Sequence, residues 1–270
     1  MRALARSRTG MVGGAIVVLF VTCALFAPWL APFDPDEQVD ADARQGPSAR
    51  HWMGTTTLGE DVASRLAYGA RTSLVVGLVS VAISLVIGVM IGLVAGYVGG
   101  WTDTLVMRAI DVLLAFPSVL LAIAVIMMLG RSLTSIMIAT GVVGIPLFAR
   151  QTRAGVLATV GAEFVVASRA LGAGHARMLF VHILPHCASP LVVLATLRIA
   201  TAVLESAGLA FLGLGGSSIL EWGMMLADNQ NHYRQLPHTV IAPGLAISAT
   251  VLGFNLFGDA LRDALDPRLS

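Results

Sequence analysis

Apolar residues gather in six long blocks, at about 10–31, 73–97, 104–129, 133–151, 189–212 and 239–260. A hydrocarbon core is roughly 30 Å thick and a helix rises about 1.5 Å per residue, so about 20 apolar residues cross it. All six blocks meet that length, the fourth narrowly. The pattern therefore predicts an all-α membrane protein with six transmembrane helices. Only Gly130, Arg131 and Ser132 separate the third and fourth blocks, which predicts a tight antiparallel hairpin. The first block follows Arg2, Arg6 and Arg8, as a secretory leader would. It is longer than a leader's apolar region, and Pro28, Trp29 and Pro32 stand where a small-residue cleavage site belongs. We read it as a retained first span.

Between the blocks, the connection 32–72 is the longest. Its first half is acidic and proline-bearing, and Leu58, Val62, Leu66 and Tyr68 recur at helical spacing in its second. A short interfacial helix from Thr57 to Ser73 is expected there. In the second span Gly88, Gly92 and Gly96 share one face at intervals of four. Lipid gives helices no hydrophobic reason to associate, so such a stripe marks a close helix–helix contact. Phe116-Pro117 should kink the third span, because proline lacks a donor and clashes with the preceding turn. Gly141, Gly144 and Pro146 should loosen the fourth in the same way.

Orientation follows from the arginines. With the N-terminus inside, the inner set is Arg2, Arg6, Arg8, Arg108, Arg150, Arg153, Arg169, Arg177, Arg198, Arg262 and Arg268. The outer set is Arg44, Arg50, Arg65, Arg71, Arg131 and Arg234, a vote of 11 to 6. Both termini are thus expected in the cytoplasm. So is the polar stretch Glu163–Pro185, a short helix-friendly run followed by a glycine, basic residues and a proline.

Composition narrows the class. The chain is 56% hydrophobic and 12% charged, against roughly 25% charged in soluble domains, and its mean hydropathy is +0.82. Its net charge of +1 shows neither a nucleic-acid face nor an acidic tail. Cys23 and Cys187 form no framework. Among intramembrane charges, Arg108 and Asp111 are spaced to pair on one helical face, and Glu205 stands beside a run of small residues. Asp111 and Glu205 would be the relays if the chain were an ion-coupled secondary transporter. His175, His182 and His186 lack the paired-ligand layout of a zinc helix, since Pro185 interrupts the last pair. No nucleophile elbow, catalytic carboxylate pair or phosphate loop is present, and the chain is read as no enzyme.

The stretch 163–185 resembles the cytoplasmic EAA motif of bacterial ABC-importer permeases. Val166, Ala167 and Ser168 occupy the triplet, Gly172 the glycine, and Leu184-Pro185 the close. Val166, Ser168 and His182 depart from its usual Glu, Ala and Ile. Further segments resemble the C-type subunits of the dipeptide/oligopeptide/nickel branch. They are WMGTTTLGED at 52–61, SRLAYGAR at 64–71, GGWTD at 99–103, LAFP at 114–117, FLGLG at 211–215 and FNLFGDALRDALDPR at 254–268.

The resemblance implies a type I importer fold in a bacterial inner membrane. It divides the chain into 1–72, a first helix with an extracytoplasmic segment, and 73–270, a five-helix permease core. A coupling helix at about 163–180 would carry Glu163, Val166, Ala167, Ser168, Ala170, Leu171, Gly172, Ala173, Arg177, Leu184 and Pro185 as its functional residues. Gly88, Gly92, Gly96, Arg108, Asp111, Pro117 and Glu205 become candidates for the pathway or for helix packing. Implied partners are a homologous B-type permease, two ATP-binding subunits, an extracytoplasmic solute-binding protein and membrane lipid. The chain itself would hold no cofactor, ATP and Mg²⁺ being bound by the ATPases. Peptides lead as solute, with nickel chelates and haem as alternatives within the same branch.

Overall fold

A computed structural model describes residues 8–216 and 220–265. Its long elements are α1 (Arg8–Leu25), α3 (Val62–Val98), α4 (Gly100–Ala115), α5 (Ser118–Leu129), α6 (Leu133–Thr159), α9 (Leu184–Phe211) and α11 (His238–Leu265). Shorter helices are α2 (Ala27–Leu30), α7 (Glu163–Ala170), α8 (His175–Arg177) and α10 (Trp222–Asn229). A π-helical turn, Met178–Ile183, joins α8 to α9, so that His175–Phe211 runs as one span. Pro185 has no N–H to give an ordinary turn, and the Leu184 N–H bonds to the Leu179 carbonyl instead.

Helices α3 and α6 share the most extensive contact. The glycine stripe explains it. A Cβ on Gly88 would stand 2.6 Å from the Cβ of Phe148, and one on Gly92 would meet the Ala149 carbonyl and the Thr152 Cβ. One on Gly96 would meet Val156. The same row continues upward through two serines. Ser84 Oγ donates to the Gly141 carbonyl at 2.6 Å and Ser80 Oγ to the Met137 carbonyl at 3.0 Å. Gly141 and Gly144 thus receive Ile83 and Ser84 of α3 closely. They do not loosen α6, which passes through Pro146 unbroken because α3 braces it.

The expected third span is two helices bent by 97° at Phe116-Pro117. Phe116 is extended, with ψ 137°, as a residue before proline prefers. The pair still crosses the bundle: α4 starts beside the end of α3, and Arg131, after α5, lies beside Gly216 at the opposite end. With that crossing, α1 begins and α11 ends on the same side as α7. Nor is the helix before span two separate: α3 starts at Val62, its N-terminus capped by Asp61, whose carboxylate accepts from the Ser64 N–H at 2.8 Å.

The expected Arg108–Asp111 pair does not form. Asp111 reaches across to Arg150 of α6 at 2.6 Å, and both nitrogens of the Arg153 fork bind both oxygens of Asp103. A neighbouring helix offers the better partners, so α4 is tied sideways to α6 rather than along itself.

At the other end, 32–61 folds over the start of α3. His51 is buried, stacked on Phe33, with Nδ1 2.9 Å from Asp61. Helix α10 is clamped between α3 and α9, with Trp222 Nε1 donating to the Leu66 carbonyl and Gly223 set against the backbone of Ala207.

Candidate functional site

Helix α7 lies across the end of the bundle where α3 and α6 finish. Its first turn holds Glu163 and its last Arg169, the signs that suit a helix dipole. Among the described residues of α7 only Val165 is buried; it enters a cluster with Val156, Met178 and Ile183. Two ring contacts flank this plug. Phe164 stacks on His186 of α9 at 4.7 Å, and Arg169 lies 5.9 Å from the ring of Tyr97, whose hydroxyl meets His175 Nδ1 at 2.8 Å.

The chain leaves α7 through a Schellman turn. The Gly172 N–H bonds to the Arg169 carbonyl at 3.0 Å and the Ala173 N–H to the Ser168 carbonyl at 3.1 Å. Gly172 has φ +84°, the left-handed region where a side chain is strained, while a Cβ there would meet nothing within 4 Å. The glycine therefore serves conformation, not space. Ser168 fills its position by turning its hydroxyl back to the Phe164 carbonyl at 2.8 Å.

With Val165 inside, the opposite face points away. Glu163, Val166, Ala167, Ala170 and Leu171 are all exposed, Val166 by 55% and Leu171 by 90%. Their spacing makes one helical stripe, apolar after its first residue. Arg177 and Pro185 are exposed beyond it, and Ala173 and Leu184 pack partly against the Val165 cluster. The motif residues from Glu163 to Ala173 thus come together in one surface helix and its exit turn, whereas Arg177 ends α8 and Leu184 and Pro185 open α9. Val165 and the π turn were not singled out from the sequence, and His186, weighed there only as a metal ligand, instead stacks on Phe164.

The pathway candidates divide. Gly88, Gly92 and Gly96 sit in the α3–α6 contact, and Pro117 makes the elbow. Glu205 is held in two bonds, 2.9 and 2.7 Å, by the buried guanidinium of Arg198 on its own helix. Arg198 also reaches the Thr140 carbonyl of α6 at 3.3 Å. It is therefore an intramembrane residue and bears no weight in the charge vote. Glu205 edges an otherwise largely apolar cavity of about 410 Å³ between α5 and α9, with Ser118 at its rim. Among the described residues no three metal ligands converge; near α7, His175 meets the ring and hydroxyl of Tyr97, and His186 the ring of Phe164 and the His182 carbonyl.

A bundle of this topology with a helix laid across one end fits a membrane transport permease. The chain belongs to the family described as binding-protein-dependent transport system inner membrane component, which matches residues 88–270. Residues 1–47 match the N-terminal transmembrane domain of oligopeptide transport permease C. It is 45% identical over 269 residues to the dipeptide transport system permease protein DppC of Alkalihalophilus pseudofirmus, covering 99% of this chain and 88% of that one. It is 46% identical to the di/tripeptide permease DppC of Pseudomonas aeruginosa, covering 96% and 88%. Identity to the glutathione permease GsiD of Shigella flexneri is 45%, covering 99% and 89%. The fold resembles the inward-facing MetNI methionine ABC transporter, with TM-score 0.59 at 20% identity over 75% of this chain and 96% of that one. An amino acid ABC transporter crystallised with histidines gives 0.58 at 17% over 74% and 94%.

Proposed function

We propose that this chain is the C-type permease subunit of an ATP-driven importer that carries short peptides into the cytoplasm. The observation that supports it most directly is the exposed stripe of α7. A surface helix pinned by one buried valine and two ring contacts, presenting Val166, Ala167, Ala170 and Leu171 outward, is built to be held by another protein. In this reading the holder is an ATP-binding subunit. A second such subunit serves a homologous B-type permease, the two permeases enclose the pathway, and a solute-binding protein docks over the 32–61 cap. Both termini then lie in the cytoplasm of a bacterium, with α7. Short peptides fit because dipeptides, di/tripeptides and glutathione, itself a tripeptide, are named for the three relatives.

An ion-coupled carrier needs a carboxylate free to take and release a cation. Asp111 and Glu205 each hold a guanidinium instead. The test is uptake of a labelled dipeptide into proteoliposomes containing this chain, its B-type partner, the ATPases and the binding protein. Uptake should require internal or external ATP on the ATPase side and survive a protonophore. Uptake by this chain alone, driven by an ion gradient, would overturn the proposal.

A further inference from the structure

Helices α9 and α11 touch where Gly258 receives Leu197, and beyond that contact a cavity opens between them, bordered by α6. Its volume is about 690 Å³. The inner part is apolar, lined by residues such as Val193 and Leu197. Toward the end of the bundle that carries α7 it becomes polar, with His186, Ser189 and Arg262, while Gln151 of α6 faces in from the side. Asp259 and Asp263, neighbours of Arg262 on α11, are not part of the lining. One cationic fork, a hydroxyl and an amide over an apolar slot, at the depth of the helix ends, describe a definite ligand. It has an anionic, hydrogen-bond-accepting head and a hydrocarbon tail.

We propose that this cavity is a binding site for an anionic phospholipid. The phosphodiester sits on the guanidinium of Arg262, with Ser189 and Gln151 as further donors, and the first part of an acyl chain lies along Val193 and Leu197. Guanidinium matches phosphate geometry by its planar fork, and basic pockets between helices at a membrane face bind such headgroups. The site also touches the coupling apparatus. His186 lines it, donates from Nδ1 to the His182 carbonyl at 2.9 Å, and stacks on Phe164 of α7. A bound lipid would stiffen the ring against which α7 rests. That consequence rests on the transport reading; the site itself does not.

The experiment uses the assembled complex, released from membranes of phosphatidylcholine with phosphatidylglycerol, and counts retained lipid by native mass spectrometry. Phosphatidylglycerol should be retained in preference to phosphatidylcholine. Arg262→Gln should lower that retention about fivefold, the effect of one basic residue at a headgroup, and Arg262→Lys should restore part of it. Inorganic phosphate should not displace the lipid. If Arg262→Gln fails to assemble, the double change Gln151→Ala with Ser189→Ala should lower retention with Arg262 intact. Equal retention in wild type and variants overturns the site, and so does displacement by inorganic phosphate, which would make it a small-anion pocket. Uptake measured in the same preparations separates the two ideas: lost preference with ATP-driven uptake intact sinks only the lipid site. Retained preference without ATP-driven uptake sinks only the transport reading.

Discussion

Arg198 and Glu205 stand seven residues apart on α9 and meet face to face, both guanidinium nitrogens on both carboxylate oxygens, at 2.9 and 2.7 Å. The same guanidinium bonds to Thr201 Oγ1 and to the Thr140 carbonyl, so the pair also fastens α9 to α6. Glu205→Leu should destabilise the protein by about 3 kcal/mol, because it strands a buried cation. Arg198→Met with Glu205→Leu should recover most of that loss. Thermal unfolding in detergent compares them; a double variant as unstable as Glu205→Leu would show that the pair is not the source.

Gly172 separates conformation from surface. Asparagine visits the left-handed region and valine does not, the difference for ordinary residues being about 1–2 kcal/mol. Gly172→Asn should therefore keep most uptake, and Gly172→Val should lose it while the chain still reaches the membrane at normal levels. Uptake with an immunoblot of membrane fractions tests both.

The outward stripe makes a different demand at position 166. Val166→Ala keeps an apolar surface and should leave coupling nearly intact, whereas Val166→Arg, which sets a long cation in the apolar stripe, should abolish peptide-stimulated ATP hydrolysis by the assembled complex. If the alanine variant lost coupling as fully as Gly172→Val, an apolar surface at 166 would not be what coupling requires.

Close packing of α3 on α6 sets a steric limit. Gly92→Val would press on the Ala149 carbonyl, which cannot rotate away, and should cost several kcal/mol, on the order of an overpacked core. Gly244→Ala, on α11 with no atom within 4 Å of its new Cβ, is the matched control and should be neutral or stabilise by up to about 1 kcal/mol. Comparing melting temperatures decides whether space at the stripe, rather than glycine in general, is what matters.

Glu221 caps α10 with its carboxylate on the Gly223 N–H at 2.9 Å. Burial pushes its carboxyl from the ordinary 4.5 up to about 7, and the N–H bonds only partly oppose this. Between those values the folded chain keeps a proton that the unfolded chain has lost. Stability should thus fall by about 3 kcal/mol as pH rises through that window and level off above it. Glu221→Gln should flatten the profile. Unfolding or amide exchange of α10 across the window measures it, and an unchanged slope in the variant would assign the effect elsewhere.

Much of this architecture was legible in the sequence because lipid simplifies the problem: long apolar blocks must be helices, and small residues in a row must be contacts. The stripe at 88–96, the break at Pro117 and the surface helix before Gly172 all follow from local chemistry. What was hidden depended on partners distant in the chain. Arg108 and Asp111 had suitable spacing, yet Arg150 of another helix took the aspartate. Arg198 looked like a charge near a membrane face until Glu205 and Thr140 showed what a buried guanidinium needs. Ser80 and Ser84 extend the glycine row, but only α6 reveals that their hydroxyls bond across it. Gly223 of α10 is set against the backbone of Ala207, a contact for which no side-chain pattern exists.

The π turn at Met178–Ile183 has one more consequence. A regular helix advances by about 100° per residue, and a π turn accommodates one residue beyond that count. It therefore sets the rotational phase between α8, with the loop and α7 before it, and the packed faces of α9. In that phase His186 of α9 meets Phe164 of α7, while Cys187 meets Gly155 on the face of α9 packed against α6. Deleting one residue there would turn the α7 assembly by roughly a quarter of a revolution relative to α9. Every span would remain intact while the exposed stripe of α7 faced another direction.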